Sequence, residues 1–204
     1  MTSKNNALEN DLAYLKGLAE LGQQAPLQMG PYLVAGGGWF GAAATILSLS
    51  QLGLIGFSVA MINWVWLMAA LGFGATLVAL IRRDLVKGEP GHNRLINAVW
   101  SAAGFGIFIF WGAVTLMAFQ LDQGVVLSTI SLAVLVVYGV AWWTIGTLTR
   151  SQWMRAIAVT SFLAAWAMAW ATGTQFEWLA YAVAVVAVAL IPGLYVIRIR
   201  GKIT

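Results

Sequence analysis

The chain has 204 residues, 61% of them hydrophobic and 9% charged, with a mean hydropathy of +0.84. Soluble domains carry roughly 25% charged residues, so this balance excludes an ordinary soluble globule and points to a polytopic membrane protein. With no cysteine and a net charge of +4, disulfides, thiolate metal sites and cysteine nucleophiles are excluded, and basic residues that flank apolar runs read as membrane topology rather than nucleic-acid binding.

Residues 1–30 come first, as an amphipathic cytoplasmic helix and linker. Leu8, Leu12, Leu15 and Ala19 repeat on one helical face, and Leu18 and Leu21 widen it. Asn6 with Glu9 resembles a capping box, and Gly22 and Pro26 are stop signals. Glu9, Asp11 and Glu20 rule against a cleavable signal peptide. A helix lying on the inner membrane surface is the reading preferred over a docking helix for a partner.

A bilayer core about 30 Å thick needs roughly 20 apolar residues per helix. Six stretches meet this: 31–50, 60–82, 96–120, 125–148, 153–173 and 177–198. The uncharged segment 51–59 could extend either neighbour or lie at the interface. The predicted fold is therefore all-α: a six-helix transmembrane domain over 31–198, paired as three antiparallel hairpins, and a short basic tail over 199–204.

The charges give direction. Lys4 and Lys16 precede the first span; Arg82, Arg83, Lys87 and Arg94 surround the second connection; Arg150 and Arg155 surround the fourth; Arg198, Arg200 and Lys202 end the chain. The other three connections carry no Lys or Arg, and their formal charges are Asp122 and Glu177. The positive-inside rule then places both termini in the cytoplasm, with Asp122 and Glu177 as solvated acids outside.

Small residues recur at similar depth in every span: Gly36-Gly37-Gly38, Gly72 and Gly74, Gly104 and Gly106, Gly139, Ser161 and Gly193. Gly37 with Gly41, Ala70 with Gly74, and Ala102 with Gly106 have the spacing of close helix contact. Two units, Gly72-Phe73-Gly74 and Gly104-Phe105-Gly106, sit at matching depth on neighbouring spans. They predict a contact between spans two and three, with Phe filling the gap. The alternative is a pocket lined by small side chains.

Reactive chemistry is sparse. Mid-span ionisable residues, which ion-coupled transport usually needs, do not occur. His92 is a lone histidine in a Gly/Pro turn, a poor metal ligand. The span serines have no histidine to activate them. Among eleven tryptophans, Trp64, Trp100, Trp153 and Trp178 fall near span ends; Trp39, Trp111, Trp142, Trp143 and Trp166 lie deeper and are read as space-fillers beside the glycines. No cofactor, catalytic residue or metal ligand is predicted. In size and helix count the chain resembles small six-helix bacterial inner-membrane proteins, some linked to acid stress. The expectation is a structural, accessory or stress-related membrane component, in contact with lipid and with a membrane partner or a second copy. The alternative is a channel or carrier for a small neutral or weakly polar solute.

Overall fold

In the computed structural model the described residues are 29–56, 58–86, 94–121 and 124–203. The N-terminal amphipathic helix, His92 and Asp122 lie outside them. The described chain is all-α. Its elements are α1 (Gly30–Gln51), α2 (Val59–Val86), α3 (Arg94–Leu121), a 3₁₀ turn (Gly124–Ser128) leading into α4 (Thr129–Leu148), α5 (Gln152–Ala171), α6 (Glu177–Val185), a π turn (Val186–Leu190) and α7 (Ile191–Ile203). Six helical stretches are long and apolar enough to cross a membrane, the sixth being α6, the π turn and α7 run together. The protein is a multi-pass membrane protein.

Local chemistry sets the ends. Pro31 stands in the first turn of α1, where its missing N–H costs nothing. The helix closes at Gly53, whose φ of +74° suits glycine, and the Leu54 N–H returns to the Leu49 carbonyl at 2.9 Å. Residues 52–56 thus turn the chain away from α1 and extend neither span. After α4 the same left-handed position falls to Arg150 (φ 53°), a conformation unfavourable for a side chain with a Cβ.

Two seams organise the bundle. Between α4 and α5, which pack along most of their length, the Ser161 hydroxyl donates to the Leu135 carbonyl at 2.7 Å. Gly139 makes room there for the Phe162 ring. Along the second seam, α1 meets the sixth span. A Cβ at Gly37 would stand 2.6 Å from the Leu190 nitrogen, and one at Gly193 would stand 2.9 Å from the Val34 nitrogen. Glycine lets these backbones touch. Leu47, Leu135, Trp142, Ile145, Met168 and Val188 fill the space between the seams. The outer pair is looser: α2 rests on α1, α3 rests on α4, and α2 and α3 share no substantial contact.

Contacts also align the ends. Tyr32 donates to Asp84 at 2.6 Å, Trp100 to the Met29 sulfur at 2.9 Å, and Trp153 packs on Tyr195 with ring centroids 5.4 Å apart. Gly146 abuts Arg155, and Gly30 abuts Ile197. The positions of Arg82, Arg83, Arg94, Arg150, Arg155 and Arg198 therefore gather at one end of the bundle.

Candidate functional site

Proline inside a helix withholds the N–H that would bond the carbonyl four residues earlier. In the sixth span that residue is Pro192, and the carbonyl is that of Val188. The chain answers in two ways. It widens into the π turn, where the Ile191 N–H reaches back five residues to the Val186 carbonyl. It also brings in a donor from another helix: the Trp142 indole N–H bonds the Val188 carbonyl at 3.0 Å. Both groups are buried, so the bond satisfies a polar atom in a water-poor interior. At 1.5 Å per residue, Val188 stands roughly 15 Å along the helix from Arg198, near mid-membrane depth.

Beside this irregular backbone lies a cavity of ≈ 20 Å³, about the room one water needs. Gly36 and Phe40 of α1, Leu135 and Tyr138 of α4, and Tyr181 and Val188 of the sixth span line it. The Tyr138 hydroxyl lies 3.4 Å from the place a Cβ at Gly36 would occupy, so this glycine seats the phenol. Tyr181 is only 5% exposed. Among the described residues neither phenol has a hydrogen-bond partner in the protein. The lining offers two groups that both donate and accept hydrogen bonds, and nothing acidic or basic.

Two aromatic files converge here. Phe73 packs on Phe40, Phe40 on Trp66, and Trp66 on Trp178 and Tyr181, with centroids 5.3–6.4 Å apart. From the other end, Tyr195, Trp153, Trp142, Trp100 and Tyr138 pack in turn at 5.3–5.8 Å. One reaches Tyr181 and the other Tyr138, which fixes the rotamers of the two phenols.

The small residues singled out in the sequence divide sharply. Gly37, Gly41, Gly139, Ser161 and Gly193 lie at helix contacts. Gly72 is covered by the Trp39 ring, and Trp39 also donates to Thr76 at 3.1 Å. Gly74, Gly104 and Gly106 have nothing within 4 Å of a would-be Cβ, and Phe105 is 71% exposed. The expected contact between the two Gly-Phe-Gly units is not formed, because α1 and α4 hold α2 and α3 apart. Trp142 fills the core, but Trp111, Trp143 and Trp166 point outward, against the space-filling expectation. Glu177, expected in solvent, is 6% exposed: one carboxylate oxygen accepts the Gly173 N–H at 2.8 Å and the other has no partner. Starting the sixth helix with this acid places it beside the N–H groups of its first turn.

Sequence reasoning passed over Tyr138, Tyr181 and Pro192. The proline inside an apolar run was the visible signal; the phenols carry none, since tyrosine is common near span ends. No family model, curated protein or solved structure matches this chain. Its function is therefore argued from its own geometry.

Proposed function

We propose that this protein is a non-catalytic accessory or scaffold component of a bacterial inner membrane, with both termini cytoplasmic. Six spans in three hairpins form the body. The observation that carries the reading is an exposed stripe of small residues on α3, Ala98, Ala102 and Gly106, which recur every four residues on one face. Among the described residues nothing lies within 4 Å of a Cβ built at Gly106. Glycine in a helix costs about 1 kcal/mol relative to alanine. On a face that touched only lipid this cost would bring no gain, whereas a helix from a partner membrane protein could approach closely there.

Mild solubilisation of the full chain from its native membrane should bring down one partner protein in fixed ratio, and Gly106→Leu should release it while leaving the chain folded. Recovery of a folded, partner-free chain would contradict the reading. Recovery of a homo-oligomer through this face would assign it to a second copy instead.

A second reading, a carrier for a small neutral or weakly polar solute, is favoured by one feature: a cavity with two free phenols beside a π turn at mid-membrane depth. Irregular backbone at that depth commonly lines a site.

A further inference from the structure

We infer that the Tyr138–Tyr181 cavity is a binding site for a single water-sized, neutral molecule that both donates and accepts hydrogen bonds. This deepens the second reading by naming its ligand class, and it rests on the cavity rather than on transport.

Three observations converge. The first is size: ≈ 20 Å³ gives room for one molecule the size of water, ammonia or hydrogen peroxide. The second is chemistry. Tyr181 is more than nine-tenths buried, Tyr138 is half-buried, and both line the cavity without a protein hydrogen-bond partner among the described residues. A small amphiprotic molecule can bond both phenols, because each can donate or accept. A cation would find no carboxylate in the lining, and an apolar gas would leave both hydroxyls unsatisfied.

The third is position. The cavity borders Val188, within the π turn. Pro192 prevents a regular helix from closing across this turn, and the Trp142 indole holds the Val188 carbonyl in place. Ring packing holds both phenols, through Trp66 for Tyr181 and Trp100 for Tyr138. The site is thus held both at its hydrogen-bonding groups and at its wall.

The test uses the full chain in lipid and reads occupancy and flux separately. In infrared spectra of the unmodified protein, exchange of H₂¹⁶O for H₂¹⁸O should shift a sharp O–H band. That band should be missing from the Tyr138→Phe/Tyr181→Phe double variant. Each single substitution should lower the unfolding temperature, and the double variant should fall no lower than the worse single, because the two hydroxyls act through one shared molecule. No exchangeable band, or single substitutions that leave the temperature unchanged, raise it, or simply add, would overturn the inference. Stopped-flow uptake of water, ammonia and hydrogen peroxide by reconstituted vesicles supplies the other arm. A bound molecule without flux keeps the site and removes the carrier reading.

Discussion

The bond from Trp142 to the Val188 carbonyl makes the strongest residue-level demand on this bundle. Trp142→Phe keeps an aromatic ring but removes the indole N–H. The buried carbonyl loses its donor, which should cost about 1–3 kcal/mol, with a further loss from the smaller ring. Pro192→Ala in the same background supplies a backbone N–H four residues on from Val188 and should recover part of that loss. Unfolding of both variants in mixed micelles checks this; an unchanged Trp142→Phe variant, or no recovery, would contradict it. The proline stands in the sequence as a helix interruption, although the reading of the spans passed over it. Its partner was not legible, because 46 residues separate donor from acceptor, and an indole that faces the core reads the same as one that faces lipid. Trp142 and Trp143 are adjacent, yet the first is fully buried and the second is exposed.

Among the elements, the helices differ in how their small faces are used. On α1, Gly37 presses on the Leu190 backbone, so a methyl group there must push two helices apart. Gly37→Ala should destabilise the fold by about 1–3 kcal/mol, as overpacking does. On α3, Gly104 faces open space. In the solubilised chain without partners, Gly104→Ala should be neutral or stabilising by up to about 1 kcal/mol, through helix propensity alone. Parallel unfolding measurements on the two variants check the contrast, and equal effects would contradict it. Spacing could not separate these cases. Gly37 with Gly41 and Ala102 with Gly106 follow the same pattern, but in a bilayer both core and surroundings are apolar, so periodicity does not mark the inward face. Neighbour order was partly hidden too: the sixth span meets α1 along a longer seam than it does α5.

At the scale of the whole molecule, the six spans were legible because bilayer thickness dictates their length, and each falls within a few residues of its expected bounds. Helix contacts gather the arginine-bearing ends, the arrangement the charge pattern requires. The cavity was not legible, since it depends on where two phenols and a widened turn meet in space. The membrane placement behind these readings rests on six crossings, and the positive-inside rule adds a direction, with the basic ends inside. The most direct measurement is a set of reporter fusions after Lys87, after Asp122 and at the C-terminus. Cytoplasmic signals from the first and last, with an external signal after Asp122, are the predicted result; a cytoplasmic signal after Asp122 would contradict it.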